Sequence, residues 1–305
     1  MACDKIIQDF ILTIMKKILL IDSNALIYRS YHALPPLKKD GKLVNAAYGF
    51  FSILSKVLDD EKPDYVAAAF DRKEKTFRHD IFEDYKAQRP EMPEDLVSQL
   101  PIIKRGLESF GIPIFEEKGY EADDIIATLA EKLKDEKEVV VLSGDRDLLQ
   151  LVDKKVTVRS PGRGIKKMIN FDKDKVVEKY GVSPELFVDY KALRGDPSDN
   201  IPGIEGIGKK RAKDLVSKHG TIEEIYANLD NLKEAQRRRL EGKEKEALLS
   251  KKLVTLKRDM DIDVDSEECQ LRPGKEKVEF FEELNFKTLA ARYRKKEDSQ
   301  MKLEL

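Results

Sequence analysis

Apolar residues fall in short unbroken runs along the first two thirds of the chain: Lys17-Ile-Leu-Leu-Ile-Asp22, Tyr65-Val-Ala-Ala-Ala-Phe-Asp71, Glu138-Val-Val-Val-Leu-Ser143 and, more weakly, Val156-Thr-Val-Arg159. Runs without polar alternation suit strands buried on both faces. Between them, over 46–59, 93–110 and 122–134, apolar positions recur every third or fourth residue, the helical period. Strand and helix signals taking turns predict an α/β fold with a mostly parallel central sheet flanked by crossover helices. Beyond Ser183 the strand pattern stops. There Ser183-Pro-Glu-Leu offers an N-cap serine followed by proline at the first helical position, and the rest of the chain reads as a helical region. Residues 295–305 read as a frayed tail, and no internal repeat is evident.

Composition narrows the class. The 305 residues are 41% hydrophobic and 38% charged, enough apolar material for one large or two modest domains under a heavily ionised surface. With 57 Lys and Arg against 58 Asp and Glu, the net charge is −1, so a uniformly basic surface is excluded and segregated patches must be sought. One lies over 205–258, where 15 basic residues face 9 acidic ones. The only cysteines, Cys3 and Cys269, form neither a zinc ribbon nor a disulfide framework. The early apolar stretch Phe10-Ile-Leu-Thr-Ile-Met15 is too short to span a membrane and no basic segment precedes it, so a cytoplasmic setting without membrane association is expected. Met15-Lys-Lys-Ile-Leu-Leu-Ile-Asp22 reads as a natural start leading into a strand, which makes 1–14 an N-terminal extension or an artefact of an upstream start. Abundant Lys and Glu beside sparse Cys resembles the composition of heat-adapted proteins.

The chemistry lies in the acids. Strand one ends in Asp22, strand two in Asp71, and strand three is followed by Gly144-Asp145-Arg146-Asp147. In a parallel sheet these carboxyl ends share one edge, where open α/β folds place their sites. Glu121-Ala-Asp123-Asp124 opens a helix, and Gly195-Asp196-Pro-Ser-Asp199-Asn200 follows another. Each acid alone suits a cap or a turn. Nine of them at one sheet edge would repel strongly in a cleft of low dielectric unless cations neutralise them. Oxygen-only ligation selects Mg²⁺ or Mn²⁺ over zinc, and the number of carboxylates suggests two ions about 3.5–4 Å apart, as in phosphodiester-cleaving sites. A P-loop motif is absent, which disfavours nucleoside triphosphate hydrolysis.

Two further segments point to nucleic acid. Pro202-Gly203-Ile204-Glu205-Gly206-Ile207-Gly208-Lys209-Lys210, continuing through Arg211, Lys213 and Lys218, has the pattern of a helix–hairpin–helix turn. Its glycines admit close phosphate approach, its helix start offers free N–H groups, and its lysines add charge. The segment from Arg72 to Pro90 mixes cations with aromatics. If helical, it would put Lys86 and Arg89 on one face with Tyr85 and Arg89 as neighbours, so that a base could stack while phosphates are held.

Taken in order, Leu20-Ile-Asp22, Ala69-Phe-Asp71, Phe77-Arg78-His79, Tyr85-Lys86-Ala-Gln-Arg89, Gly119-Tyr-Glu121-Ala-Asp123-Asp124, Gly144-Asp145-Arg-Asp147 and Gly195-Asp196-Pro-Ser-Asp199-Asn-Ile-Pro-Gly203 closely resemble the 5′ nuclease family: the 5′→3′ exonuclease domain of bacterial DNA polymerase I, phage 5′ nucleases and flap endonucleases. The resemblance covers about 16–292. It implies a PIN-like nuclease core over 15–200 with a helical arch at about 72–100. A helical DNA-binding region with the helix–hairpin–helix would follow over 183–292, then a tail over 293–305. It implies Mg²⁺-dependent hydrolysis near 5′ ends and junctions, trimming flaps and removing RNA primers. Asp71, Glu121, Asp123 and Asp145 would hold one ion, and Asp145, Asp147, Asp196 and Asp199 would surround the other, with Asp22 and Asp124 orienting waters. Lys86 and Arg89 would contact the scissile phosphate, Arg78 would assist and Tyr85 would stack on a nucleotide. The turn from Gly203 through Gly206 and Gly208 to Lys209, Lys210 and Lys213 would grip the duplex, with K⁺ seated there. DNA with 5′ flaps, nicks or RNA-primed ends, and a DNA polymerase, are the implied partners of a monomer. In many relatives proofreading and polymerase domains follow this region. Here the chain ends at Leu305, as an independent nuclease or a fragment, and Lys295-Lys-Glu-Asp-Ser reads more like a terminus than a linker.

Two rival readings fit less well. A haloacid-dehalogenase-like phosphatase requires a second acid at position 24, where Asn24 stands. A DNA-binding scaffold that uses only the helix–hairpin–helix leaves the acids unexplained.

Overall fold

A computed structural model describes residues 15–162, 167–271 and 276–301, so the 1–14 extension and positions 302–305 of the expected tail lie outside the described residues. Strand β1 (Lys17–Asp22) runs into α1 (Ser23–Ala33), a small hairpin β2 (Lys38–Lys39) and β3 (Lys42–Leu43), α2 (Asn45–Glu61) and β4 (Tyr65–Ala69). Next come the short α3 (Phe77–Ile81) and α4 (Glu94–Val97), α5 (Leu100–Ser109), β5 (Ile114–Phe115), α6 (Ala122–Leu133) and β6 (Glu138–Leu142). A 3-10 turn at Asp147–Leu151 leads to β7 (Val156–Pro161) and β8 (Met168–Phe171). The helical remainder is α7 (Lys173–Tyr180), α8 (Phe187–Arg194), α9 (Lys209–His219), α10 (Ile222–Ala227), α11 (Glu234–Leu240), α12 (Glu244–Val254), α13 (Glu276–Glu283) and α14 (Lys287–Met301).

The sheet order is β5-β4-β1-β6-β7-β8, parallel except for β8. The register pairs Asp22 with Ala69 and Ile21 with Leu142, so the carboxyl ends of β4, β1 and β6 finish level. The crossovers reverse direction at β1, the position where open sheets leave a crevice. Both faces of these strands are buried. Ile18, Leu20, Val139 and Val141 pack toward α6 and the helical region, and Leu19, Ile21, Val140 and Leu142 toward α2 and the C-terminal helices. That double burial is why the strands read as unbroken apolar runs.

Several local expectations are corrected. The helix expected over 93–110 is broken into α4 and α5. Between them, buried Gln99 turns its side-chain carbonyl to the backbone N–H groups of Ala46 (2.9 Å) and Ala47 (3.3 Å), and Pro101 has no N–H to continue a ladder. The arch expected at 72–100 consists here of α3 and α4 joined by tight turns, and 83–88 is not helical. The last stretch is no frayed tail as far as Met301: α14 is helical throughout, with Tyr293 buried and Arg292 and Lys296 paired to Asp59 of α2. Among the described residues, no helix is long and apolar enough to cross a membrane.

Candidate active site at the sheet edge

Backbone geometry fixes the acids before any ligand is considered. Asp22 closes β1 and caps α1, accepting from the Ala25 N–H (3.0 Å) and the Ser143 hydroxyl. Ser143 in turn accepts from the Asp145 N–H (2.8 Å), and Asp145 accepts from the Asp147 N–H (2.8 Å), so the turn after β6 is wound tightly around its own carboxylates. Asp71, just past β4, accepts from the Ala122 N–H at 2.7 Å, which docks the start of α6 against the β4 end. Glu121 caps that helix and Asp123 lies in its first turn. A cavity of about 310 Å³ is lined by Asp22, Asp71, Glu121, Asp123, Asp145, Asp147 and Asp199, with Arg78, Lys86 and Arg89 as the only cations on its wall among the described residues.

Seven carboxylates against three cations cannot all ionise comfortably at low dielectric. Burial pushes Asp22 up to about 7 against the help of Ser143 and Ala25, and Asp145 and Asp71 repel its charge. Burial also pushes Asp147 up to about 7 although Lys191 attracts it. Asp123 is raised well above the carboxylate range by burial and then by Asp22, Asp145, Asp71 and Asp147, and Asp71 is raised by burial. Burial works the same way on Glu121, but Lys86 and Arg78 outweigh it and hold its pKa low.

The native state therefore keeps protons that the unfolded chain has released above about pH 4. Their stabilising effect is complete below the ordinary value of 3.8 and is lost as pH rises to about 7. The melting temperature of the metal-free protein is expected to fall by about 5 °C or more between pH 5 and pH 8, with most of that loss recovered by millimolar Mg²⁺ at pH 8 and little gained from it at pH 5. Thermal scans with Mg²⁺ and with chelator check this, and a flat metal-free profile would contradict it.

The basic residues above the acids occupy a turn rather than a helix. Lys86 has φ +56°, in the left-handed region, and its N–H donates to the Asp199 carbonyl at 3.0 Å. Its ammonium donates to Glu121 at 2.5 Å, and Arg89 pairs with Asp199. Asn200 adds two more ties, donating to the Asp84 backbone carbonyl (2.8 Å) and accepting from the Gln88 side chain (3.2 Å). Thus the turn is stitched to the loop that carries Asp199.

Three sequence-based assignments need correction. Tyr85 is only 3% exposed, its hydroxyl within reach of Glu121 (3.1 Å) and Asp199 (3.3 Å), so its ring offers no free face to a base in this arrangement. Arg78 is 1% exposed and forks onto Asp124 at 2.7 and 2.8 Å, with its Nε on the Leu253 carbonyl (2.8 Å); it braces the core instead of reaching a phosphate. Asp124 is fully buried and also accepts from the N–H groups of Glu121 (3.2 Å) and Lys257 (2.8 Å), which leaves it no role with waters in the cavity. Its i, i+3 spacing from Glu121 is that of a helix-start brace.

Asp196 does not line the acidic cavity; it borders a neighbouring polar cleft together with Asp145 and Asp147. Between Asp147 and Asp196 lies the buried ammonium of Lys191, 2.6 Å from Asp196, and it holds the Asp196 carboxyl down at about 2 against the effect of burial. Sequence reasoning missed Lys191. The only available signal was its place one helical turn before Gly195-Asp196 on α8.

The loop from Gly195 to Gly203 closes on itself. Gly195 (φ +76°) and Gly203 (φ +63°) press backbone to backbone: a Cβ on Gly203 would lie 2.3 Å from the Gly195 nitrogen. Gly203 is buried, so it seals the acid-bearing loop and is corrected from a duplex contact. Gly206 and Gly208 are exposed, Gly208 begins α9 with open space where a Cβ would stand, and Lys209, Lys210 and Lys213 are exposed on that helix.

Among the described residues, no three acids already stand together as a ligand set. The donor chemistry nevertheless suits hard cations: oxygen donors only, a surplus of negative charge, and carboxyls that resist ionising without a counter-charge.

Residues 17–181 match the family profile described as the 5'-3' exonuclease N-terminal resolvase-like domain, and residues 182–277 match its C-terminal SAM fold. The chain is 42% identical over 279 residues to a 5'-3' exonuclease of Aquifex aeolicus, covering 90% of this chain and 94% of that protein. It is also 42% identical over 282 residues to DNA polymerase I of Caldicellulosiruptor bescii, covering 90% of this chain but 33% of that one. It spans about a third of the length of the DNA polymerase I relatives. Among solved structures, zinc-bound T5 5'-exonuclease aligns with a TM-score of 0.64 at 23% identity, over 92% of this chain and 98% of that one. Flap endonuclease-1 from Methanococcus jannaschii aligns with a TM-score of 0.55 at 18% identity, over 92% of this chain and 91% of that one. Likeness at these identities speaks to the fold.

Proposed function

Because the chain belongs to the 5'-3' exonuclease family, we propose that it hydrolyses phosphodiester bonds near 5′ ends and single-strand/double-strand junctions in DNA, as a structure-selective 5′→3′ exonuclease and flap endonuclease. Its tasks would be flap trimming and RNA primer removal, beside a DNA polymerase. The observation that carries this reading is the charge surplus at the sheet edge, where acids from three strand ends face one small cavity. Asp71, Glu121, Asp123 and Asp145 would hold one Mg²⁺ (or Mn²⁺), and Asp145, Asp147 and Asp199, joined by Asp196, the other. When bound, such ions lower the pKa of water and neutralise phosphate charge.

The protein's own groups do the rest. Asp22, held by Ser143 and the Ala25 N–H, stands as a fixed acceptor at the cavity floor. Lys86 and Arg89 project from their turn over Glu121 and Asp199 and would exchange those carboxylates for the phosphate, where charge builds up in the transition state. Lys209, Lys210 and Lys213 with the open start of α9 would hold the duplex backbone without reading sequence, and K⁺ at the Gly206–Gly208 turn belongs to the same reading.

End-labelled nicked, flapped and hairpin DNAs test it directly. The expected result is cleavage near the 5′ junction in Mg²⁺ and none in chelator, with Lys86→Ala slowing kcat by about 10²–10³-fold and changing DNA affinity only a few-fold. A protein that binds these DNAs but never cuts them would leave the scaffold reading standing.

A further inference from the structure

A second cavity, of about 580 Å³, opens on the other side of α3 from the acids. The helix divides its side chains between the two: Arg78 faces the acidic cavity, whereas Phe77 and Ile81 line the second. Leu256 lines both, so the wall between them is thin. The floor of the second cavity is apolar and aromatic. Phe77 and Tyr120 are half-buried with ring centroids 5.7 Å apart, and beside them lies Leu248, 38% exposed and one of three large hydrophobics left open to solvent among the described residues.

The rim is basic. Lys251, Lys252 and Lys257 border the opening against a single carboxylate, Glu223. Lys251 is committed to Asp189 (2.7 Å) and Glu223 (2.6 Å). Lys257 makes only an exposed pair with Asp259 at 2.9 Å, a contact that water and salt weaken. Lys252 is exposed and has no hydrogen-bond or ion-pair partner among the described residues.

Aromatic faces at the floor with ammonium groups along the edge suit a flexible polyanion whose bases stack while its phosphates track the cations. A peptide without acidic residues would use the apolar floor but not the charge. Together with the proposed function, on which this inference rests, the thin wall supplies the occupant. We propose that the groove takes the displaced single-stranded 5′ segment of the substrate, with a base against Phe77 and Tyr120 and backbone phosphates on Lys252 and Lys257. Groove and acids then serve one strand. The acids act at the junction while the groove holds what protrudes from it, and a substrate without a protruding strand leaves the groove empty.

The experiment uses the full chain and two DNAs with the same junction, one carrying a single-stranded 5′ flap and one a nick with no flap. Charge reversal at both rim positions, Lys252→Glu with Lys257→Glu, is expected to raise KM for the flapped DNA about tenfold and to leave KM and kcat for the nicked DNA unchanged. In chelator, a photoreactive base placed stepwise along the flap is expected to crosslink to Phe77 or Tyr120 at one or two adjacent positions. Equal effects on both DNAs, no effect on either, or crosslinks elsewhere would overturn the proposal, and a groove occupied instead by a partner peptide would show the second of these. Should the unaltered protein cut neither DNA, the nuclease reading fails, while the crosslinks still report on the groove.

Discussion

Asp71→Ala is expected to lower kcat on a 5′-flap DNA by about 10³-fold or more while leaving DNA affinity in chelator within a few-fold of the parent. The reason lies in what Asp71 touches. One oxygen is spent on the Ala122 N–H at 2.7 Å, which fixes the carboxylate to the start of α6, and the other faces the cavity among six further acids. Desolvation in the cavity and the Glu121 charge raise its pKa, and the residue is exposed, so its ionised form adds little to folding in the metal-free state. Its removal should therefore leave metal-free stability unchanged or slightly improved, the pattern expected where stability is given up for function. Loss of cleavage combined with an equal or higher metal-free melting temperature is the signature to seek. Retained cleavage would remove Asp71 from the reaction.

Arg78→Ala should do the reverse. The guanidinium ties α3 to Asp124 on α6 and to the carbonyls of Leu253 and Thr255, so its loss strands a fully buried carboxylate. Breaking one side of a buried ion pair costs about 3–5 kcal/mol, which corresponds to a drop of about 5–8 °C for a protein of this size. Activity of the fraction still folded, measured well below its melting temperature, should stay within about tenfold of the parent, because Arg78 would act through the packing of α3 and the chemistry would proceed without it. Pairing the change with Asp124→Leu removes the stranded charge, and a double-mutant cycle in chemical denaturation should return a large coupling between the two positions. Independent, additive effects would show that the two do not act as a pair.

These contrasting expectations mark how far the sequence could be read. The strands were legible because burial on both faces leaves unbroken apolar runs, and the meeting of Asp22, Asp71 and Asp145 followed from strand direction alone. The helix–hairpin–helix was legible as glycines spaced around isoleucines before a basic helix. Allocation within the clusters was not. Asp123 and Asp124 are neighbours of one residue type, yet one faces the cavity and the other is sealed beneath it, a distinction set by the roughly 100° step of the helix and by where Arg78 lies in the fold. Tyr85 looked like a stacking platform because ring and cations share a segment, but a left-handed turn at Lys86 points the ring inward. Lys191 carries no motif, since its role comes from the tertiary approach of α8 to the turn after β6.

The stitching of the 84–89 turn to the Asp199 loop makes the site a clasp. Four contacts, the Lys86 N–H to Asp199, Arg89 to Asp199, Gln88 to Asn200 and Asn200 to Asp84, join two segments that are more than a hundred residues apart in the chain. With Lys86 resting on Glu121 and Arg89 on Asp199, two cations that the proposed function assigns to a phosphate are paired with two acids it assigns to metal, so part of the cavity's negative charge is already compensated. On the proposed function, a polyanion that drew the Lys86 and Arg89 side chains away would free Glu121 and Asp199 in one movement while the other three stitches held the turn in place. Substrate arrival and ion uptake would then be coupled, each favouring the other.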